Sequence, residues 1–295
     1  MIKQTLMFSS PVSLSLKDRQ LVIAKEDSDE IVTRPIEDIG FVVVENQMVK
    51  MTVPLLNALT DNNVSVVFCD HKQMPRSMLM SLEGNTTLQE SYRYQINASE
   101  PTKKRAWKQI VESKIRNQAT LLQKVGKNGD ALRPFYMNVK SGDADNREGA
   151  ASRIYWQMLF EDGFRRDREG DSPNNLLNYG YAILRAAVAR ALVGSGLYPA
   201  FGLFHRNRYN AFPLADDMME PYRPFVDEIV YRLYVNEAIE TLDKSAKAEL
   251  LRIMVTDVKM DKITRPLQIG LTMTSASLLK VFKGDETKLS LPVFP

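Results

Sequence analysis

The stretch KKRAWKQIVESKIRNQATLLQKVGK, residues 103–127 of this 295-residue chain, decides the fold of its larger part. Its apolar residues recur near one face at helical spacing; they are Ala106, Ile110, Ile115, Ala119 and Leu122. The run GKNGD at 126–130 ends the pattern, since glycine and asparagine favour turns. The stretch therefore predicts a long amphipathic helix that packs one face into a core.

The same stretch concentrates positive charge on the other face, and we call residues 103–127 the basic stripe. Its eight basic residues stand against Glu112 alone, a net +7 in a chain of net +3, so the remainder sums to −4. The basic residues are Lys103, Lys104, Arg105, Lys108, Lys114, Arg116, Lys124 and Lys127. Such a stripe is typical of contact with nucleic-acid phosphates. A solvated helix face is the alternative, and the charge alone leaves both open.

The residues before the stripe have the pattern of strands. Residues 12–16 alternate apolar and polar side chains. Runs of strand length, most of them rich in β-branched or aromatic residues, follow at 21–24, 31–36, 40–45 and 64–69. One short helix interrupts them, because Pro54 suits a helix start and Leu55, Leu56 and Leu59 form an apolar face. We predict a small β-sandwich-like domain over residues 1–80.

The residues after the stripe have helical periodicity. Further helices are predicted at about 147–160, 175–193, 221–240 and 246–255. The run EGNTT at 83–87 is typical of a linker. We therefore predict an α+β multidomain protein in which residues 81–87 link the β domain to an all-α domain over 88–295.

The composition excludes several classes of protein. Cys69 is the only cysteine, so an intramolecular disulfide and a multi-cysteine metal site are excluded. The most apolar stretch, residues 179–193, is interrupted by Arg185 and Arg190 and falls short of a membrane span of roughly 18 residues. Residues 1–4 lack the apolar core of a signal peptide. We expect a cytoplasmic protein without a membrane association.

The two histidines differ in their surroundings. His71 follows a predicted strand in the polar turn DHKQMP, where a surface histidine is the simpler interpretation. His205 follows an apolar stretch and precedes the basic run Arg206-Asn207-Arg208. We therefore take His205 as the candidate for chemistry.

Two acidic residues follow His205 at helical spacing. Asp217 and Glu220 lie at i and i+3, on one face if the segment is helical. Carboxylates beside one imidazole suit Mg²⁺ or Mn²⁺. Alternatively, Asp216 and Asp217 cap the helix and Glu220 pairs with Arg223 on its surface, and spacing alone favours that interpretation.

A metal site would need one more ligand, and Glu148 is the best donor. It lies in the first turn of a predicted helix and is followed by the small residues 149–151, which allow close approach. A glutamate there also interacts favourably with the helix dipole, which is sufficient to explain it without a metal.

Four segments in order give this chain a resemblance to a known family. They are REGAA at 147–151, LNYGYAIL at 177–184, GLYPAFGLFH at 196–205 and DMMEPYRP at 217–224. The chain resembles the CRISPR-associated integrases, the larger, universal subunit of the spacer-acquisition machinery. The resemblance covers essentially the whole chain, and the ADDMME version at 215–220 is similar to the branch that accompanies a single-protein RNA-guided effector nuclease.

The resemblance implies a set of site residues and partners. It implies that Glu148, His205 and Glu220 are the catalytic metal ligands for Mg²⁺ or Mn²⁺, with Asp217 as an auxiliary acid. The third ligand is an aspartate in some branches and a glutamate here. The implied partners are double-stranded DNA, a second copy through the β domain, and a small ferredoxin-like subunit that completes a heterohexamer. The RNA-guided effector nuclease and a DNA-end-binding accessory protein are further implied partners.

The implied reaction is phosphoryl transfer in CRISPR adaptation. The 3′-hydroxyl of a short captured duplex attacks a phosphodiester at the border of a repeat. The DNA contacts would come from Lys103, Lys104, Arg105, Lys108, Arg206 and Arg208. Two other functions stay open. One is a metal-dependent nuclease for branched DNA, which would use the same residues without an integration role. The other is a non-catalytic nucleic-acid scaffold, in which Glu148, His205 and Glu220 are merely structural.

Overall fold

The computed structural model describes residues 3–25, 30–81, 87–160, 163–205 and 207–295. The chain forms two compact units, one ending at Gly84 and the other beginning at Asn85. Most of the predicted linker, residues 82–86, lies outside the described residues, and so does Arg206.

Among its described residues, the first unit contains two four-stranded sheets, one α-helix and a 3₁₀ turn at Ile36–Asp38. Its strands are β1 (Gln4–Phe8), β2 (Val12–Lys17), β3 (Gln20–Lys25), β4 (Ile31–Pro35), β5 (Ile39–Val44), β6 (Lys50–Met51), β7 (Ser65–Cys69) and β8 (Pro75–Leu79). Helix α1 spans Val53–Asp61. One sheet has the order β1-β5-β7-β8 and the other β4-β3-β2-β6. The pairs β1–β5, β5–β7 and β2–β6 are parallel, and the other neighbours are antiparallel.

A single hydrophobic core joins the two sheets. Leu14 and Leu21 from one sheet and Val42 and Val66 from the other belong to the same buried cluster. Leu55 of α1 is fully buried in that cluster. β5 is buried at all six positions, as expected for a parallel strand covered on both faces. The prediction of a small β-sandwich-like unit is confirmed.

The sequence patterns found the stronger strands and missed the weaker ones. The predicted runs correspond to β2, β3, β4, β5 and β7, and the helix at Pro54 is α1. β1, β6 and β8 were not predicted. β6 has only two residues, and β8 contains Pro75 and Arg76 and lies at a sheet edge, where the apolar alternation is weak.

The second unit is mostly helical. Its helices are α2 (Leu88–Asn97), α3 (Glu100–Lys124), α4 (Arg133–Tyr136), α5 (Arg147–Phe160), α6 (Asn174–Gly194), α7 (Pro213–Met219), α8 (Arg223–Tyr231), α9 (Lys244–Leu251) and α10 (Leu267–Lys283). Helical turns of other types occur at Gly129–Leu132, Ser141–Asp143, Glu220–Tyr222, Arg232–Asn236 and Arg252–Val255. The prediction of a β-rich unit followed by a helical one is confirmed.

Two long helices form the centre of this unit. α3 packs against α5, α8 and the turn at Glu220–Tyr222, while α6 packs against α7, α8, α9 and α10. The five apolar residues predicted for the inner face of α3 are all buried. By length and apolar composition α6 could cross a membrane, but 72% of its most apolar window is buried inside the protein, as in a core helix.

Several features of this unit differ from the sequence prediction, and helices α2, α4 and α10 were not among the predicted helices. A three-stranded sheet of β9 (Asp257–Met260), β10 (Ile263–Pro266) and β11 (Pro292–Val293) adds strands to the unit predicted as all-α. These strands have two to four residues, too few for a periodic signal. The single helix predicted over 221–240 is instead a 3₁₀ turn, α8 and a π turn. Pro221 and Pro224 cannot donate the backbone bonds of a continuous helix, which accounts for the break before α8.

Gly180 provides a test of the packing between α6 and α8. A Cβ atom there would lie 2.5 Å from Cγ1 of Val226, a distance that requires a shift in a filled core. We expect Gly180→Ala to lower the free energy of unfolding by about 1–3 kcal/mol, measured by urea denaturation. Gly194→Ala is the matched control on the same helix, where nothing lies within 4 Å of the new atom. Equal stability of the two variants would contradict this packing.

Candidate active site

A cavity of about 240 Å³ in the helical unit brings the predicted site residues together. Glu148 comes from the first turn of α5, His205 from the loop after α6, and Glu220 from the turn that follows α7. The other residues that line it are Trp107, Lys114, Gln118, Ser152, Trp156, Arg166, Tyr181, Phe204 and Arg223. Side chains that are far apart in sequence thus face one space.

Glu148 is positioned by the start of α5. The carboxylate of Asp143 accepts hydrogen bonds from the backbone N–H groups of Arg147 (2.8 Å) and Glu148 (3.1 Å). These bonds satisfy donors that a helix start leaves free and so determine where the helix begins. Ser152, one turn further, donates its hydroxyl to Oε1 of Glu148 at 3.0 Å. The side chain of Glu148 is therefore directed into the cavity from an ordered helix terminus.

Lys114 of α3 joins Glu148 to Glu220. Its ammonium group contacts Oε1 of Glu148 and lies 2.5 Å from Oε2 of Glu220, and only 7% of its side chain is exposed. The positive charge of Lys114 lowers the pKa of Glu148 to about 2. Burial alone would lower the pKa of Lys114, but the two carboxylates outweigh it and raise that pKa above its ordinary value. Glu148 and Lys114 are therefore both ionised near neutral pH.

Glu220 has a second cationic partner. Nε of Arg223 lies 2.9 Å from its Oε1. The pair between Glu220 and Arg223, which the sequence offered as a surface alternative to a metal site, therefore exists. It is not on the surface: Glu220 is 5% exposed and lines the cavity. The pairing and a role in the cavity are thus compatible.

Asp217 orders the loop that carries His205. Its Oδ2 accepts the backbone N–H groups of Leu203 (2.6 Å) and Phe204 (3.0 Å), and its Oδ1 accepts that of His205 at 3.3 Å. The same Oδ1 lies 2.6 Å from Nδ1 of His205. Asp217 is fully buried and does not cap its own helix, as the alternative interpretation required; Asp216 pairs with Arg185 instead.

The contact with Asp217 sets the state of the imidazole. The hydrogen bond raises the pKa of His205 above its ordinary value, because the carboxylate stabilises the protonated ring. With Nδ1 committed to Asp217, Nε2 is the nitrogen that can bind a ligand. The side chain is 41% exposed and lines the cavity.

Aromatic and cationic side chains complete the cavity. The ring of Phe204 stacks on Trp107 with centroids 4.5 Å apart, and the edge of His205 meets Trp107 at 5.8 Å. On another wall, the guanidinium groups of Arg166 and Arg223 lie over the ring of Tyr181, at 5.3 Å and 4.6 Å. These contacts place positive charge and ring faces around the two carboxylates.

A buried carboxylate binds the tyrosine over which Arg166 and Arg223 lie. Asp227 accepts hydrogen bonds from the hydroxyls of Tyr181 and Tyr155, the latter at 2.7 Å. Burial raises the pKa of Asp227 to about 6. Tyr155 and Tyr179 are fully buried, as expected for core aromatic residues.

The donor set suits a divalent cation. Two carboxylates and one imidazole nitrogen are the ligands that Mg²⁺ and Mn²⁺ accept. Within the described residues, no three histidine, cysteine, aspartate or glutamate side chains are grouped closely enough to hold a metal ion as they stand. The ammonium of Lys114 lies between two of the three donors.

The cations of the basic stripe do not all lie on one surface of the structure. Lys104, Arg105 and Arg116 are exposed on α3. Lys114 does not belong to that surface: it is buried in the cavity, so the assignment of all eight cations to one outer face was wrong. The helix places Lys114 four residues after the buried Ile110, on the inward face.

Acidic side chains, two on the same helix and one on α8, balance part of the stripe. Lys103 lies 3.8 Å from Glu100, and Lys108 lies 3.6 Å from Glu112. Lys124 pairs with Glu228 of α8 at 2.7 Å. The exposed positive surface on this helix is therefore concentrated near its first turns, around residues 103–105.

The remaining predicted residues lie apart from the carboxylates. His71 is exposed in a turn of the β-rich unit, in agreement with the simpler interpretation. Arg208 is exposed beside the ring of Tyr209 in the loop after His205. Arg206 lies outside the described residues.

Lys114 and Gln118 are two of the cavity residues that the sequence analysis did not place in the site. Both continue the buried face of α3 at i+4 spacing from Ile110. Gln118 is 1% exposed, and its Oε1 has no hydrogen-bond partner within the described part of the chain. The available signal was two polar side chains on an apolar helix face, since such groups are buried only with partners or for function.

The chain thus combines a β-rich unit with a helical unit whose cavity is lined by two carboxylates, an imidazole and several cations. A family model described as "CRISPR associated protein Cas1" matches residues 6–268, which is most of the chain. The protein belongs to this family, so the resemblance stated from the four segments is confirmed. A relative from Neisseria meningitidis serogroup C (strain 8013), "CRISPR-associated endonuclease Cas1", is 36% identical over 94% of this chain and 95% of its own.

Solved structures share the fold. A "Casposase bound to integration product" superimposes with a TM-score of 0.81 at 19% identity, over 98% of this chain and 93% of the casposase chain. A chain of a "Cas6-RT-Cas1--Cas2 complex" gives a TM-score of 0.74 at 20% identity, over 98% of this chain and 36% of the longer one.

The pair of His205 and Asp217 makes a pH-dependent prediction. Asp217→Asn removes the negative charge, so we expect the pKa of His205 to fall toward the ordinary histidine value of about 6.5. Because the pKa of His205 is raised in the folded protein, the pair stabilises the native state fully at pH values below the pKa of an unfolded histidine. This stabilisation is lost as the pH rises through the pKa of His205 in the folded protein. Proton NMR titration measures the shift, with His71 as the internal control. An unchanged His205 titration would contradict the contact.

Proposed function

We propose that this protein is a metal-dependent DNA endonuclease and integrase of CRISPR adaptation. It joins the 3′-hydroxyl ends of a short captured duplex to the repeat by transesterification. The observation that carries the proposal is the single cavity in which Glu148, His205 and Glu220 meet. The names of the Neisseria relative, an endonuclease, and of the casposase structure, bound to an integration product, support the same chemistry.

In this proposal Glu148, Glu220 and Nε2 of His205 hold Mg²⁺ or Mn²⁺. A bound divalent ion supplies electrostatic stabilisation of the charge that develops on the reacting phosphate. Asp217 holds His205 in the tautomer that presents Nε2. Ser152 keeps the carboxylate of Glu148 directed inward, and Asp143 holds the helix terminus that carries it.

The protein's own cations act on the reacting phosphodiester. In the reaction, the attacking 3′-oxygen forms a new bond to phosphorus and the displaced 3′-oxygen leaves with the proton. Arg166 and Arg223 are placed on the cavity wall, where planar guanidinium groups can bind phosphate oxygens. Both are oriented by the ring of Tyr181, which reduces the entropy lost when they bind.

The outer surface of α3 binds the duplex backbone. Lys103, Lys104, Arg105 and Lys108 lie on the N-terminal part of the helix whose inner face contributes Lys114 to the cavity. Contacts of this kind position DNA without reading its sequence. Arg208, and Arg206 by its place in the sequence, extend the positive charge beside His205.

The partners follow the family resemblance. We propose a homodimer formed through the β-rich unit, and assembly with a small ferredoxin-like subunit into a heterohexamer. The complex named Cas1--Cas2 among the structural neighbours supports such a partner. Interaction with the RNA-guided effector nuclease, interaction with a DNA-end-binding accessory protein, and a cytoplasmic location belong to the same proposal.

Variants of the cavity test the catalytic assignment. We expect Glu148→Gln and His205→Ala each to lower joining and nicking more than about a hundredfold, because each removes a proposed metal ligand. Duplex binding should stay within a few-fold. The assay combines the protein and its small partner with a repeat-containing plasmid, a duplex with free 3′-hydroxyls, and Mn²⁺.

Glu112→Gln is the matched control, since it removes a carboxylate from the outer side of α3. Full turnover in both cavity variants would refute the site and favour a non-catalytic scaffold. Cleavage without covalent joining, with the small partner present, would favour a nuclease that acts on branched DNA without integration.

Charge reversal tests the DNA-binding surface. We expect Lys103→Glu, Lys104→Glu and Arg105→Glu together to weaken duplex binding and to reduce the slope of log affinity against log salt by about one to three. The same triple reversal at Lys259, Lys262 and Arg265, exposed residues of the β9–β10 hairpin, is the control. An equal effect at the two places would show that α3 provides no specific path for the duplex.

A further inference from the structure

Lys114 stands where the proposed metal ion would bind. Its ammonium is shared by Glu148 and Glu220, two of the three proposed ligands, and its side chain is almost fully buried. A lysine is rarely buried unless it is paired. The sequence prediction placed this residue on the DNA-binding surface, and nothing in the proposed reaction so far uses it.

The charges in contact balance without an added ion. Glu148 and Glu220 carry two negative charges, and Lys114 and Arg223 carry two positive ones. A buried cluster of this kind is stable because no charge remains uncompensated. A divalent cation bound to the same two carboxylates would lie close to the ammonium and be repelled by it.

We propose that Lys114 is a built-in cation that holds the two carboxylates together in the metal-free protein and competes with the divalent ion for them. This inference rests on the proposed function, in which Glu148 and Glu220 are metal ligands. Removal of Lys114 would therefore destabilise the metal-free protein and tighten its binding of metal. A merely structural lysine would show only the loss of stability.

The competition by Lys114 also couples metal binding to DNA binding. A flexible four-carbon side chain can turn away from the carboxylates when another anion is offered. A phosphodiester in the cavity is such an anion, so DNA would draw the ammonium away and let the metal bind. Coupling of this kind is reciprocal: DNA strengthens metal binding and metal strengthens DNA binding by the same factor.

The experiment measures Mn²⁺ binding to the full-length, DNA-free protein by the EPR signal of the free ion. We expect Lys114→Met, which keeps the length and removes the charge, to bind Mn²⁺ at least about tenfold more tightly than the wild type. Lys124→Met is the matched control. Lys124 lies on the same helix as Lys114 but outside the cavity, and it pairs with Glu228 of α8. This variant should bind Mn²⁺ as the wild type does.

Thermal unfolding provides a readout that is independent of activity. Without metal, Lys114→Met should melt at a lower temperature than the wild type, because two buried carboxylates lose a partner. Mn²⁺ should raise its melting temperature more than that of the wild type. If the variant is unfolded without metal, Mn²⁺ should restore its circular dichroism spectrum, and failure to restore it would overturn the inference.

The outcomes separate this inference from the proposed function. Unchanged or weaker Mn²⁺ binding by folded Lys114→Met, with binding lost in Glu148→Gln, would overturn the role of Lys114 and leave the metal site intact. Equal Mn²⁺ binding by the wild type and Glu148→Gln would refute the metal site itself. Addition of a short duplex should raise the Mn²⁺ affinity of the wild type more than that of Lys114→Met, and an equal rise would overturn the coupling.

Discussion

A buried ion pair network centred on Lys114 is the constraint on which the candidate site depends. It ties α3 to the start of α5 and to the turn after α7, three segments that have no other reason to present charges to one another. Breaking a buried pair by removing one partner costs about 3–5 kcal/mol. The arrangement of the two carboxylates is therefore part of the stability of the helical unit and is in place before any ligand arrives.

Asp217 holds both the loop after α6 and the imidazole of His205. The loop after α6 must present a histidine to the cavity, yet a loop by itself is free to adopt many conformations. Three backbone N–H groups and the imidazole all bind to one buried carboxylate, so the loop and the ring orientation are determined together. His205 can thus stay accessible while its position is restricted.

Periodicity predicted most of the fold because buried faces repeat. The inner face of α3, the alternating strand β2 and the fully apolar strand β5 all follow from the spacing of apolar residues. The strands β6, β9, β10 and β11 could not be found in this way, since each has two to four residues and is held by its neighbours.

At the candidate site, the contributions of the sequence and of the tertiary structure separate more clearly than in the fold. The sequence by itself offered Glu148, His205, Glu220 and the auxiliary Asp217 as candidate metal ligands, because histidines are few and four segments in order resemble the integrase family. Only the tertiary structure decided that these residues share one cavity, that Lys114 belongs with them, and that Asp217 acts through the histidine. The physical reason is that charge is a local property of a residue, whereas the partner of a buried charge is chosen by packing between helices that are distant in sequence.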